Sequence, residues 1–232
     1  MVDSIKGLQM PLSGLPVTVR IDGRARRLRL RVHPCDPLLR LTVPPGVAKR
    51  LIVDFLKRHE DWVRAQLSRL PVHKPFAEGT HIPLRGQPHE IRLTGRVRGL
   101  PCLQDGVLWM PGKAEHLARR MSDFLRHEAR RDVTAAAEIK AAAAGLSYQG
   151  ITLRDPKSRW GSCSPSGRLS FSWRLIMSPA YVLDYVVAHE VAHLRHMHHG
   201  KAFWALCHRL SEAPRAAQDW LKQNGASLHR YG

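Results

Sequence analysis

The stretch H-E-V-A-H at residues 189–193 holds two imidazoles and a carboxylate at a spacing that suits metal-dependent hydrolysis. Residues four apart in an α-helix lie on one face, so His189 and His193 can bind one ion while Glu190 flanks the same space. Zinc accepts nitrogen ligands, and its catalytic sites keep three protein ligands and a water whose pKa falls to about 7. The pattern therefore predicts a zinc hydrolase in which Glu190 is the general base that takes a proton from this water.

The residues around this motif distinguish a metal site from a chance match in a chain with 14 His. Apolar residues precede the motif at helical spacing, namely Val182, Leu183, Val186 and Val187. Ser178 and Pro179 supply a helix start signal. Burying three polar side chains together without a partner is costly, and a bound ion would offset that cost. We therefore predict that the motif lies on a buried helix and binds a metal ion.

The third ligand is constrained by helix geometry. His196 follows His189 by seven residues, which is about 10.5 Å along a straight helix, so the rings of both residues and of His193 cannot reach one small ion. The third ligand is therefore expected beyond a bend, and Gly200 marks a helix end. The candidates are His198, His199 and Glu212. We favour His199, which lies in the turn between the motif helix and the helix predicted over residues 201–210.

The N-terminal half that precedes these residues is predicted to be rich in short strands. Residues 17–43 alternate as strands, and an amphipathic helix follows Pro44, Pro45 and Gly46 as far as Leu67. Short strands continue to about residue 110, among them a hairpin of residues 81–84 and 89–93 joined across Arg85, Gly86 and Gln87.

The C-terminal half is predicted to carry the longer helices. A long Ala-rich helix runs from about Lys113 to Ala144, and strands at 151–153 and 168–173 flank the loop R-W-G-S-C-S. A final helix is bracketed by Pro214 and Gly225. These elements predict an α+β fold, with a β-rich N-terminal region over residues 1–111 and a metallohydrolase domain over residues 112–232.

The loop at residues 159–164 supports two interpretations of equal weight. Arg159, Trp160 and Ser162 are candidates for binding an extended substrate beside the metal. Trp160 is equally a candidate core anchor, with Gly161 serving a backbone turn. Tyr185, four residues before His189, is a candidate for stabilising an oxyanion, although an aromatic ring at this spacing more often anchors its helix. Cys163 is a weak candidate nucleophile, because G-S-C-S is not a nucleophile elbow.

Composition and charge indicate where the protein is located and what kind of partner it binds. The start of the chain lacks a signal-peptide pattern and no stretch is apolar enough to span a membrane, so a soluble cytoplasmic protein is expected. Four widely spaced cysteines indicate neither a disulfide framework nor a second zinc site. Lys and Arg number 37 against 19 Asp and Glu, a net charge of +18. This charge favours an anionic partner such as nucleic acid, yet the basic residues are dispersed, as on a solvated surface.

Several segments of this sequence resemble the YgjP-like metallopeptidase-domain family. They are K-S-R-W-G-S-C-S from Lys157, W-R-L-I from Trp173, L-D-Y-V-V-A-H-E-V-A-H from Leu183, and F-W at Phe203. The family is related to the SprT-like proteases and more loosely to other zincins. The resemblance implies a zincin-like catalytic domain, with the active-site helix packed on a small sheet. It also implies a zinc site of His189, His193 and His199, with Glu190 as the base.

Three classes of function follow from these observations. The first is a zinc metallopeptidase that acts on a peptide or protein. The second is hydrolysis of a phosphoanhydride, as in a nucleotide, with Arg residues holding the phosphates, although no P-loop is present. The third is a nucleic-acid-associated module with SprT-like protease activity. We favour the metallopeptidase.

Overall fold

The computed structural model describes residues 9–11, 13–32, 38–68 and 72–232, and the chain divides into two compact units, Met1–Val72 and His73–Gly232. Residues 33–37 of the predicted strand region, which include Cys35, lie outside the described residues. The predicted boundary between residues 111 and 112 falls inside the second unit. The strands on one side of it and the long helix on the other share a hydrophobic core, to which Leu108 and Met121 both belong.

The first unit packs a three-stranded sheet against two helices. Its strands are β1 (Val17–Ile21), β2 (Arg29–Val32) and β3 (Leu39–Val43), in the order β1-β3-β2, with β3 parallel to β1 and antiparallel to β2. The helices are α1 (Lys49–Arg58) and α2 (Glu60–Leu67). The single amphipathic helix predicted here is thus two helices. The chain breaks at His59, whose Nδ1 lies 2.7 Å from the carbonyl oxygen of Phe55 and competes for a helical acceptor.

The second unit begins with a four-stranded sheet. Its strands are β4 (His81–Leu84), β5 (Gln87–Leu93), β6 (Cys102–Gln104) and β7 (Val107–Met110), in the order β4-β5-β7-β6. The predicted hairpin is present, but Gln87 belongs to β5, so Arg85 and Gly86 alone form the turn, with φ values of 51° and 81°. The unusual backbone of Arg85 is supported by its guanidinium, which donates hydrogen bonds of 2.7 Å to Asp132 and Glu128 on the long helix.

The long helix α3 (Leu117–Ala144) follows a 3₁₀ turn at Ala114–His116. It ends where predicted, at Gly145, whose left-handed backbone (φ 61°, ψ 42°) closes the helix. A stripe of small and apolar residues along it, from Met121 to Ala141, is buried against the rest of the second unit. Helix α3 is therefore the support for the elements that carry the histidine motif.

A second small sheet lies beside the motif helix. It contains β8 (Gly150–Arg154), β9 (Gly161–Cys163) and β10 (Arg168–Ser172), in the order β8-β10-β9, with β10 parallel to β8 and antiparallel to β9. The segment predicted as a loop thus contains a strand at its centre. A 3₁₀ segment, Trp173–Met177, leads from this sheet to α4 (Ala180–His193), which carries the motif.

Helix α4 is the central element of the second unit. It packs against α3, against β9 and against the two following helices, α5 (Lys201–Leu210) and α6 (Pro214–Asn224). This environment explains why α4 is apolar on nearly every side. Within the described residues, none of the helices combines the length and the apolar character needed to cross a bilayer. The predicted α+β class is confirmed, with the motif helix packed against a small sheet.

The last residues of the second unit return to its first residues. After a 3₁₀ segment at Gly225–Arg230, the backbone N–H of Lys74 donates to the carbonyl of Arg230 at 2.7 Å, and that of Gly232 donates to the carbonyl of Lys74 at 3.1 Å. Arg174 holds the same segment, because its Nη1 donates to the carbonyls of Leu228 and Tyr231. The two ends of this unit are therefore hydrogen-bonded to each other.

Candidate metal centre

Three imidazole nitrogens converge at the C-terminal end of α4. His189 and His193 lie one turn apart on the helix, and the Nε2 of His199 lies 3.1 Å from the Nε2 of each. The donor atoms of the three residues all lie within 4.8 Å of one another. Zinc–nitrogen bonds of about 2.0 to 2.1 Å place tetrahedral ligands roughly 3.4 Å apart, so this cluster fits an ion of that size.

His199 reaches this cluster because the chain turns back directly after α4. The N–H of Leu194 bonds to Val191 rather than continuing the helical pattern, and the Nη2 of Arg195 donates to the carbonyl of Ala144 at the end of α3. Of the three candidates for the third position, the structure brings His199 to the other two histidines. His198 is exposed outside the group, and so is Glu212, whose N–H donates to Asp184.

The outer nitrogen of His193 has a partner that the sequence did not indicate. Its Nδ1 lies 3.0 Å from the carbonyl oxygen of His196, and a carbonyl can only accept, so Nδ1 carries the proton. The neutral ring then presents an unprotonated Nε2 to the cluster. His196 lies outside the group of three histidines, and its carbonyl orients the ring of His193.

The protonation states of the histidines favour metal binding. Burial, together with the nearby His193 and His199, lowers the pKa of His189 to about 4. Burial also lowers the pKa of His193; the hydrogen bond to His196 acts in the opposite direction, and the nearby His199 adds to the lowering. Both rings are neutral near pH 7, which is the form that binds a metal. The Nδ1 of His189 is buried without a hydrogen-bond partner among the described residues, so its Nε2 is the nitrogen that faces the other two rings.

The first turn of α5 packs against the three rings. Phe203 is fully buried, and its ring centroid lies 4.5 to 4.9 Å from those of the three histidines. Trp204 stacks on His199 with a centroid distance of 5.5 Å. These contacts restrict the rotation of the imidazoles, so the donor atoms are held in place by packing as well as by the backbone.

Glu190 points from α4 towards strand β9. Its side chain is buried, and this burial raises its pKa to about 7, with Arg159 acting in the opposite direction. A β-carbon on Gly161 would lie 2.5 Å from Oε1 of Glu190, so the strand backbone passes directly against the carboxylate. Gly161 is the first residue of β9 and pairs with Phe171, so it lies in a strand and not in the predicted backbone turn. The glycine provides space for Glu190 instead.

The other predicted site residues lie around this carboxylate. Arg159 is exposed, and Ser162 is the middle residue of β9, paired with Ser170. Trp160 is half-buried and packs against Gly225 and His229, as a core anchor would. Tyr185 is buried, and its hydroxyl accepts a hydrogen bond of 3.0 Å from Gln218 on α6.

The surroundings of Cys163 disfavour the thiolate that nucleophilic catalysis would need. Burial raises its pKa, and the carboxylate of Glu190 raises it further. A thiol is reactive as the thiolate, which a raised pKa disfavours. The described cysteines Cys102, Cys163 and Cys207 are all free.

Comparison with known proteins identifies the family of this chain. The model of the YgjP-like metallopeptidase domain matches residues 26–224. Among solved structures, the crystal structure of the metallopeptidase zymogen abylysin from Pyrococcus abyssi is similar at 18% identity and a TM-score of 0.35, over 40% of this chain and 92% of that one. The search of curated proteins found no match. Because the family match spans most of the sequence, including both units and all three converging histidines, this chain belongs to the YgjP-like metallopeptidase domain family.

Proposed function

We propose that this protein is a zinc-dependent peptidase. The observation that carries the proposal is the convergence of three histidine nitrogens beside Glu190, whose carboxylate is buried. His189, His193 and His199 would hold the ion. Three nitrogen ligands with an open position are typical of catalytic zinc, which when bound supplies a Lewis acid and acidifies water.

In this proposal Glu190 is the general base. Its pKa of about 7 places it near the optimum for accepting and later returning a proton at neutral pH. It takes a proton from the attacking water at one carboxylate oxygen and then donates that proton to the leaving nitrogen. The close backbone of Gly161 restricts the carboxylate to a small set of orientations, which keeps it directed at the reacting atoms.

The peptide is proposed to bind along strand β9. This strand lies at the edge of its sheet, because β10 pairs with it on one side and no described strand pairs with it on the other. An extended peptide can add to such an edge through backbone hydrogen bonds. Ser162 and Arg159 are proposed to contact this peptide. The packing of Trp160 and the hydrogen bond to Tyr185 favour structural roles for both aromatic residues.

The experiment is a peptidase assay of the zinc-loaded full chain on casein and a peptide library. We expect cleavage by the wild type and a loss of roughly 10² to 10⁴ in rate for Glu190→Gln, with zinc retained. Glu138→Gln, on the exposed side of α3, is the matched control and should keep full activity. Peptidase activity of Glu190→Gln equal to that of the wild type would overturn the proposed mechanism. Hydrolysis of nucleotides without hydrolysis of peptides would favour the phosphoanhydride alternative.

We also propose a cytoplasmic location. The described cysteines are free, which suits a reducing compartment. Fractionation of cells that produce the protein tests this, and recovery in the membrane or secreted fraction would contradict it.

A further inference from the structure

One face of the sheet in the first unit consists of arginine and threonine side chains. The strand registers place Thr18, Arg40 and Arg31 side by side in one row. They place Arg20, Thr42 and Arg29 side by side in the next row. Paired residues in neighbouring strands point to the same side of a sheet, so these six residues form one surface, which we call the basic sheet face.

The opposite side of the same sheet is the core of the unit. Leu39, Leu41 and Val43 of β3 are buried against Ile52 and Leu56 of α1. The alternation along each strand therefore leaves the basic sheet face to solvent, and its four arginines are exposed. The Nη2 of Arg20 lies 3.7 Å from a carboxylate oxygen of Asp22. The structure shows no ion pair between any of the other three arginines and a described acidic residue. The sequence over residues 1–72 contains 14 Lys and Arg and six Asp and Glu.

The arrangement of these arginines is expected to destabilise the sheet. Arg31 and Arg40 stand directly opposite each other in an antiparallel pair, where like charges are destabilising. A surface that served only solubility would mix charges of both signs. Neighbouring strands lie about 4.8 Å apart, and alternate residues of one strand lie roughly 6.6 Å apart. Arg40, Arg31 and Arg29 therefore stand at adjacent positions of the basic sheet face, and such a group of positive charges suits closely spaced negative charges.

We propose that the basic sheet face binds the phosphodiester backbone of nucleic acid without reading its sequence. Guanidinium groups form paired hydrogen bonds with phosphate oxygens, and threonine hydroxyls also donate to them. The six residues include no aromatic side chain on which a base could stack, so the contacts are with phosphates. Single strands and duplexes of any sequence should bind. The proposal is independent of the metal centre.

The test is fluorescence anisotropy with the full chain and a labelled single-stranded DNA of mixed sequence, about 20 nucleotides long, at several salt concentrations. The wild type should bind with an affinity that falls steeply with salt. The double variant Arg31→Gln/Arg40→Gln should bind roughly 10- to 30-fold more weakly at about 0.1 M salt, with a shallower salt slope by about 1.4, because two phosphate contacts are lost.

A matched variant and two further measurements keep this test specific. Lys57→Gln/Arg64→Gln removes the same charge from exposed positions of α1 and α2, and should weaken binding far less. The melting temperature of Arg31→Gln/Arg40→Gln should be unchanged or higher, because a like-charge pair is relieved. Equal losses in the two double variants, or no binding by the wild type, would overturn the proposal. Binding only to vesicles containing phosphatidylglycerol, and not to DNA, would also overturn it.

Discussion

The backbone of Gly161 lies so close to Glu190 that a β-carbon on the glycine would stand 2.6 Å from Cγ of the glutamate and 2.5 Å from its Oε1. Contacts this short do not occur, so any side chain at residue 161 must displace the carboxylate. The position of the proposed base is thus fixed by the absence of a side chain on the neighbouring strand.

We therefore expect Gly161→Ala to remove peptidase activity while sparing the metal. The three histidines do not depend on the space at Gly161, so zinc content should stay near that of the wild type. The rate should fall by roughly 10² to 10⁴, as expected for loss of a general base. Elemental analysis and the casein assay measure the two effects. Gly23→Ala is the control, since a β-carbon there meets nothing within 4 Å and its φ is not positive. Full activity of Gly161→Ala would contradict this role.

The two adjacent histidines after α4 should differ sharply in their effect on zinc affinity. His199 lies with its Nε2 3.1 Å from two other ring nitrogens, whereas His198 is exposed outside the group. Loss of a residue that only hydrogen-bonds to a metal ligand typically lowers metal affinity by roughly 10- to 100-fold. His199→Ala removes a proposed ligand itself and should weaken zinc binding by more than this. His198→Ala should change it little. Competition with a zinc chelator measures both variants. The reverse ranking would move the third ligand to His198.

The parts of the site that the sequence predicted depend on local signals. The H-E-x-x-H spacing requires only a helix, and apolar periodicity with Pro179 marked that helix. The turn containing His199 could be located because a helix cannot bring His196 to the same ion. The Gly145 helix end follows from the backbone freedom of glycine. The hairpin between β4 and β5 could be predicted because two strand-like segments flank a short connection that contains Gly86.

The parts that the sequence missed depend on contacts between distant residues. Strand β9 has three residues, too few to show alternation, and forms by pairing with β10. The role of Gly161 follows from an approach to Glu190 on another element. The carbonyl of His196 is a backbone group that every residue type has, so its hydrogen bond with His193 could not be predicted from the sequence. The break between α1 and α2 at His59 has neither glycine nor proline to mark it.

Cys207 should resist alkylation in the folded protein. Burial raises the pKa of its thiol to about 12, and the negative charge of Glu190 contributes to this shift. A raised pKa means that the thiol stays protonated at mildly alkaline pH, and the thiol must ionise to react. Iodoacetamide at a pH of about 8.5 should label the exposed Cys102 and leave Cys207 unlabelled until denaturant is added. Peptide mass spectrometry measures both sites. Rapid labelling of Cys207 in the folded protein would show that its surroundings are open.

The ion pair between Lys140 and Asp184 should make a large contribution to stability. The Nζ of Lys140 donates to Asp184 and, at 2.6 Å, to the carbonyl of Leu210, and its side chain is 8% exposed. Asp184→Ala would leave a buried ammonium without its counter-ion, which typically costs about 3 to 5 kcal/mol. Urea unfolding should show this loss. Asp123→Ala breaks the exposed pair with Arg119 and should cost less than about 1 kcal/mol. Equal costs for the two variants would contradict the importance of burial.

The hydrogen bonds between Lys74 and residues Arg230 and Gly232 bring the two ends of the second unit together in space. A short linker could therefore join Gly232 to His73. New chain termini could then be placed at another position in the unit. Circular permutants of this kind are tolerated when the original ends are adjacent and the new ones lie in exposed turns. The turn at Asp105 and Gly106, between β6 and β7, offers such an opening far along the chain from the histidines. We therefore expect that the order of the segments in this unit can be changed while the packing around the three histidines is kept.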